Sequence, residues 1–328
     1  MSKRTQTLKK RLDYKGTIAK KYISEGKCKI EASPVPGARP GQKACLERAR
    51  LVTESYKATA GEPEVIRRAK ALAHILGSMT VYIQDGELIV GNIASDPHFY
   101  QLYPEITADW LNKAFNDGYK SLLDEKGRAE FKEIAKYWSG KTTSERLQAI
   151  LPKRLKDFVQ WNPIGWAHNF RGEKPGETLD IDKLFALGLN GIIGQINSRL
   201  KEIETGSLPA DNYIEQRNTL EAMRIALKAA NNFSKRYAVK ARDLASAEKN
   251  AKRKEELQRI AEVCEWVPDN PPRTLHEALQ SFYFICLIAK QLETCGQNYG
   301  NRLDVLMNPY YQKDKREGSP LSGDGQLY

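Results

Sequence analysis

Four carboxylates, Glu173, Glu177, Asp180 and Asp182, fall within ten residues of one another, beside a stretch crowded with Trp161, Pro163, Gly165, Trp166, Gly172, Pro175 and Gly176. A carboxylate in a partly apolar pocket keeps its proton to higher pH, so it can act as a general base or grip a substrate hydroxyl or ammonium. A solvated loop would leave the same residues inert, and spacing alone does not choose between the two. His168 lies in this stretch and, of the four histidines, is the one placed to face a ligand. His74 falls inside an amphipathic helical pattern and reads as structural, and His276, in the first turn of a capped helix, as an exposed or supporting group. Arg302 and Asp304, two apart in what reads as a short extended segment, form either a structural ion pair or an orienting pair for a polar substrate.

Other chemistries find no support. There is no Gly-rich phosphate loop ending in Gly-Lys-Ser/Thr, no Gly-x-Ser-x-Gly elbow and no His-Glu-x-x-His. The five cysteines, Cys28, Cys45, Cys264, Cys286 and Cys295, are odd in number and lack Cys-x-x-Cys spacing. Reduced thiols in a cytoplasmic protein are therefore expected, with no metal site. The net charge of +11 is concentrated: residues 1–30 hold ten Lys/Arg against two acids, so the rest of the chain is close to neutral. A solvated basic arm is the simpler account of this than a nucleic-acid-binding face. The basic start also lacks the apolar run of a secretory signal.

The elements that must position these residues are mostly helical. Ser33 to Gly41 is a Pro/Gly linker, which places the start of the folded part near Ala44 and leaves residues 1–43 as a basic, flexible tail. Apolar residues recur at helical period from Leu46 to Tyr56. A second helix starts around Pro63, a residue suited to a first helical turn, with Val65, Ala69, Leu72, Leu76 and Met79 as its stripe. Thr80–Ile83 and Glu87–Val90 flank Gln84-Asp85-Gly86 and predict a β-hairpin. The stretch from Ala94 to Pro104 reads as loop, with helices resuming from Thr107. Helical patterns return over Ile181–Leu200, over Tyr213–Ala245 as one long helix or a pair, and through Leu257, Ile260, Ala261 and Cys264 up to Pro268. Thr274 and Glu277 have capping-box spacing, and the body from Ala278 to Ala289 is apolar on nearly every face. At 12 residues it is a buried core helix, too short to span a bilayer.

Several stretches, taken in order, resemble the glycyl radical enzymes of the pyruvate formate-lyase superfamily, most of all the glycerol and diol dehydratase and decarboxylase-type branches. They are Glu47-Arg48-Ala49 with Thr53–Lys57, Ile66–Leu72, Asp85–Asn92, Tyr103-Pro104-Glu105 and Tyr137–Thr142. Ile260–Cys264 leading to Pro272-Arg273-Thr274 and Glu277–Gln280 follows, then Arg302-x-Asp304 to Pro309-Tyr310-Tyr311. Each is weak alone, and their order and spacing over residues 44–314 carry the resemblance. It implies a ten-stranded α/β barrel wrapped in helices, of which this chain matches the N-terminal, mainly α portion with a small β component. In such enzymes a radical stored on a glycine passes to a mid-chain cysteine, whose thiyl opens C–C, C–O or C–N cleavage of a small-molecule substrate in a dry interior. A separate activating enzyme, using an iron–sulfur cluster and S-adenosylmethionine, installs the radical. Homodimerisation stays open, and neither membrane nor nucleic acid is an expected partner.

The family's Gly-Cys-x-Glu and Arg-Val-x-Gly-Tyr loops do not occur in residues 1–328. No cysteine or glycine here inherits either radical role, and the chain is expected to be inactive alone. What the resemblance does imply is substrate contact from Glu177, His168, Asn298, Arg302 and Asp304. Two departures bear on it: Glu177 stands where the family's Gly-His-Thr stretch has histidine, and Gly300-Asn301-Arg302-Leu303-Asp304 has one residue more between Gly and Asp than the commoner form. Gly318, Pro320, Gly323 and Gly325 oppose the helix that the family continues, so residues 315–328 are expected to be irregular, as in a truncated or frame-shifted product. The competing reading is a helical binding or structural module that pairs with a separate C-terminal chain.

Overall fold

The computed structural model describes residues 43–108, 123–153, 179–206, 212–294 and 302–318. The chain divides into two compact units, one of residues 1–50 with 94–173, the other of residues 51–93 with 174–328.

In the first unit, strand β1 (Lys43–Cys45) pairs in parallel with β2 (Phe99–Gln101), Lys43 opposite Phe99 and Cys45 opposite Gln101. Helix α1 (Glu47–Ala58) starts here. Its Arg48 is buried, and a buried guanidinium must spend its donors locally. Nη2 binds Glu105 Oε1 at 2.6 Å, Nη1 donates to the Leu102 carbonyl at 3.3 Å, and the cation lies 4.3 Å from the Tyr103 ring centroid. Helix α3 (Glu125–Trp138) is capped by Asp124, whose side chain accepts from Gly127 N, and α4 (Thr143–Ile150) by a reciprocal box of Thr142 and Glu145. Thr143 N and Ser144 N donate to the carbonyls of Glu105 and Ile106.

The second unit is built around α6 (Tyr213–Ala247), a single helix of 35 residues. Against it pack α2 (Glu64–Ser78), α5 (Ile181–Glu204) and α7 (Ala251–Trp266). The buried face of α6 is rich in alanine (Ala222, Ala229, Ala230, Ala238, Ala241, Ala245), which lets helices approach closely, while Phe233 and Tyr237 fill the remaining space. Phe233, Tyr237 and Phe284 form a triangle of rings with centroids 5.1 to 5.9 Å apart. Helix α5 is broken at Gly188, φ 62°, where a Cβ would meet the Asp269 carbonyl oxygen at 2.4 Å. At the break Leu189 N and Asn190 N donate to the carbonyls of Pro268 and Asp269 in place of intrahelical partners. Helix α8 (Leu275–Leu287) runs through the core and ends in a π-helical turn (Ile288–Leu292), and α9 (Leu303–Arg316) follows.

Three expectations are corrected. The Gln84–Glu87 turn forms, with Glu87 N donating to the Gln84 carbonyl, but residues 80–83 and 87–90 are not strands. Side chains from α7 and α8, together with Asn92, take backbone groups a ladder would have used. The stretch 94–104, expected to be loop, contains β2. Pro63 occupies the N-cap of α2 rather than its first turn, and Val65, placed in the apolar stripe, is exposed while its neighbour Ile66 is buried. The capping residue of α8 is Thr274 as expected, yet the Glu277 carboxylate reaches past it to Arg273 N at 2.6 Å. Among the described residues, no helix is long and apolar enough to cross a membrane.

Candidate functional site

Of the five residues expected to meet substrate, Glu177, His168 and Asn298 lie outside the described residues, as does Glu173. Arg302 and Asp304 are described, and not in an extended segment: Arg302 is the N-cap of α9 and Asp304 sits in its first turn. A carboxylate is favoured there by the helix's exposed N–H groups. The two side chains close on each other in a bidentate fork, Nε to Oδ1 at 2.9 Å and Nη2 to Oδ2 at 2.7 Å. Hydrogen bonding from Arg302 holds the Asp304 carboxyl down at about 2, so the pair is ionised at any physiological pH. Both side chains are exposed, and a ligand approaching either must compete with the fork.

Asp180 and Asp182 take the bland role. Asp180 caps α5 by accepting from Lys183 N at 3.0 Å, and Asp182 is exposed in the first turn. Contacts of α5 and α9 nevertheless hold these chain segments side by side. Phe185, in the second turn of α5, meets Tyr310 of α9 edge to face at 5.5 Å. Helix α9 is in turn anchored to the start of α8: buried Asp314 accepts from Leu275 N at 3.0 Å and Lys313 Nζ donates to the Arg273 carbonyl at 3.0 Å. Helix α9 is thus held both against α5 and against the start of α8.

A second polar constellation, missed in the sequence apart from His276, grips residues 80–93. Gln280 binds Val90 twice, its Oε1 accepting from Val90 N and its Nε2 donating to the Val90 carbonyl, both at 2.8 Å. Asn92 Oδ1 accepts from Tyr82 N and its Nδ2 donates to the Thr80 carbonyl. The Tyr237 hydroxyl accepts from Asn92 N at 2.9 Å and donates to Asn92 Oδ1. Arg253 donates to the carbonyls of Glu87 and Gln84. His276, expected to be exposed or supporting, is buried, and its Nε2 lies 2.9 Å from the Leu88 carbonyl oxygen. That contact requires the Nε2–H tautomer, which leaves Nδ1 as an unpartnered buried acceptor. Desolvation lowers the His276 pKa, and burial pushes the Tyr237 phenol well up, so neither group changes charge easily. The sequence signal for this constellation was a glutamine inside an otherwise apolar helix.

Two of the described cysteines are unsuited to nucleophilic work. Cys264 is fully buried with its thiol pKa driven upward by desolvation, and Cys286 is buried in α8. Cys45 Sγ lies 3.2 Å from the Ser95 hydroxyl on the wall of a cleft of about 280 Å³ in the first unit, bordered also by Arg50, Phe99, Lys126 and Glu130. Among the described residues no cluster of His, Cys, Asp and Glu could hold a metal ion.

Comparison with known proteins places this geometry. The pyruvate formate lyase-like family model matches residues 1–322. Isethionate sulfite-lyase of Nitratidesulfovibrio vulgaris is 36% identical over 287 residues, covering 83% of this chain and 34% of that protein. Among solved structures, one of 1,2-propanediol dehydration in Roseburia inulinivorans has a TM-score of 0.77 at 33% identity, covering 85% of this chain and 34% of that one. The glycerol-bound B12-independent glycerol dehydratase of Clostridium butyricum has a TM-score of 0.76 at 33% identity, covering 84% and 35%. The chain therefore spans about a third of the length of the relatives it matches. With the family model matching residues 1–322, the chain belongs to the pyruvate formate lyase-like family of glycyl radical enzymes.

Proposed function

We propose that this chain supplies the N-terminal, helical portion of a cytoplasmic glycyl radical lyase or dehydratase of anaerobic metabolism, and is inactive alone. The observation that carries the reading is a similarity of about a third of residues, sustained over 83–85% of the chain, to enzymes of which it covers only about a third. When the enzyme is whole, the thiyl and glycyl radicals supply hydrogen abstraction from substrate. Neither the Gly-Cys-x-Glu nor the Arg-Val-x-Gly-Tyr motif occurs in residues 1–328, so no residue of this chain is assigned to that step.

What this chain contributes is binding and exclusion. Glu177, His168, Asn298, Arg302 and Asp304 contact a small polar substrate, and the packed helices around α6 keep water out of the reacting interior. The Arg302–Asp304 fork, exposed here, offers substrate either a carboxylate that accepts from a hydroxyl or a guanidinium that donates to an anion. Glu177, at the family's histidine position, gives the site an acceptor-only group where a dehydratase has an imidazole. The partners are that substrate, a radical-installing activating enzyme dependent on S-adenosylmethionine and an iron–sulfur cluster, and a second copy of the enzyme as homodimer.

A separate reading, a helical module that pairs with an independent C-terminal chain, draws on the second unit's internal satisfaction of residues 80–93. Anaerobic incubation of the purified chain with an activating enzyme, followed by electron paramagnetic resonance, tests the leading reading. No organic radical is expected on this chain alone, and radical formation with substrate cleavage is expected once the remaining two thirds of the family fold are supplied. An organic radical on this chain by itself would overturn it.

A further inference from the structure

Helix α9 carries the Arg302–Asp304 fork, yet little in its own sequence keeps it helical. Arg302 lends it no side-chain cap, Pro309 stands inside it, and at 14 residues it is near the length below which an isolated helix is marginal in water. Its helicity therefore comes from what it docks against. Of its residues only Met307 and Asp314 are buried. One of these two inward anchors is a carboxylate, at 1% exposure, where an apolar side chain would have packed without loss of hydration.

That carboxylate has a specific destination. An α-helix leaves its first N–H groups without intrahelical acceptors and concentrates partial positive charge there. In α8 the Glu277 N–H is met by the Thr274 side chain from the same segment, whereas the Leu275 N–H is met at 3.0 Å by Asp314 Oδ2, from another helix. Asp314 is in effect a second cap of α8, supplied by α9. Lys313 Nζ reinforces the joint by donating to the Arg273 carbonyl at 3.0 Å, and Tyr310 adds its ring contact with Phe185. All three anchors lie in the C-terminal half of α9, whereas the fork lies at its other end, where Arg302, Leu303, Asp304 and Val305 are exposed.

We infer that Asp314 is the positioning residue of the Arg302–Asp304 pair: by capping α8 from α9 it keeps α9 folded, and so holds the pair at a fixed place and angle for substrate. The inference rests on the reading that this pair meets substrate. Asp314 acts through the helix and not by contact.

The test uses the full chain and its Asp314→Ala and Asp314→Asn variants, followed by amide hydrogen exchange and by the exchange of the Arg302 Nε–H with water in side-chain NMR. In Asp314→Ala both the α9 amides and the Arg302 Nε–H should exchange about tenfold faster, while the α6 amides stay within about twofold of wild type. Asp314→Asn keeps an acceptor for Leu275 N and should recover part of the protection at both places. The Arg302 signal separates positioning from local support, since a role confined to the α8–α9 joint would leave the far end of the helix unmoved. An unchanged Arg302 signal in Asp314→Ala, an equal loss of protection in α6, or no recovery in Asp314→Asn would each overturn the inference. Those outcomes leave the radical-lyase reading standing, because that reading is tested by the appearance of an organic radical and not by exchange in α9.

Discussion

Two extended regions of the chain satisfy their backbones differently. Residues 43–45 and 99–101, with no strand signal to speak of, form a parallel pair joined by backbone hydrogen bonds. Residues 80–90, with alternating apolar residues about an Asp-Gly turn, form none, and instead have N–H and carbonyl groups met by Gln280, His276, Arg253 and Asn92. Extended backbone must have its hydrogen bonds, but it is indifferent to whether a neighbouring strand or a set of side chains supplies them. Where amide and hydroxyl groups stand on buried helical faces, they outcompete a hairpin that would have left those groups unpaired in the core.

The sharpest way to break this contrast is Gln280→Leu. It orphans both the N–H and the carbonyl of Val90 in the interior, and about 2–5 kcal/mol should be lost, read as a lower urea midpoint. A cost under about 0.5 kcal/mol would mean that the side-chain ladder is dispensable. Next comes Gly91→Ala. Gly91 has φ 156°, and a Cβ there would stand 2.6 Å from the Tyr283 ring and 2.9 Å from Leu287, so overpacking of about 1–3 kcal/mol is expected in the same assay.

The third test uses pH. The ordinary His276 pKa is 6.5 and burial lowers it in the fold, so below pH 6.5 the unfolded chain binds the proton more readily than the native one. The stabilisation is therefore complete above 6.5 and is lost as pH falls through and below it, at up to about 1.4 kcal/mol per pH unit. Between pH 7.5 and 5.5 the wild-type midpoint should fall further than that of His276→Gln, which can still donate to Leu88. Equal slopes would show that His276 is not the titrating group. The smallest effect is expected in the parallel pair, where exposed Lys43→Ala should change stability by less than about 0.5 kcal/mol.

Helices were legible because their causes are local. The Thr142–Glu145 box and the Thr274 cap are written within four residues, and the breaks after Ala58 and Trp266 fall beside Pro63 and Pro268. The fate of residues 80–90 was not legible, because its helical partners lie 166 to 190 residues away and no periodicity announces a glutamine as a strand's substitute. The strands β1 and β2 are three residues each, too short for alternation to register. For the site, the pairing of Arg302 with Asp304 could be read from their types and spacing. Its place at a helix start could not, since Arg302 lends no side-chain cap and Pro309 interrupts the pattern of α9.

The long reach of the Gln280 clamp bears on the order in which the molecule assembles. The antiparallel neighbours α6 and α7 are adjacent in sequence and can meet early, whereas Val90 must wait for a group 190 residues further along the chain. Closing so large a loop is a late event, so the clamp should contribute little at the folding barrier and much to holding the native state once formed. Weakening it should then speed the escape from the folded state while leaving the speed of arrival almost unchanged, which makes residues 80–93 the latch on the second unit's lifetime rather than a seed of its structure.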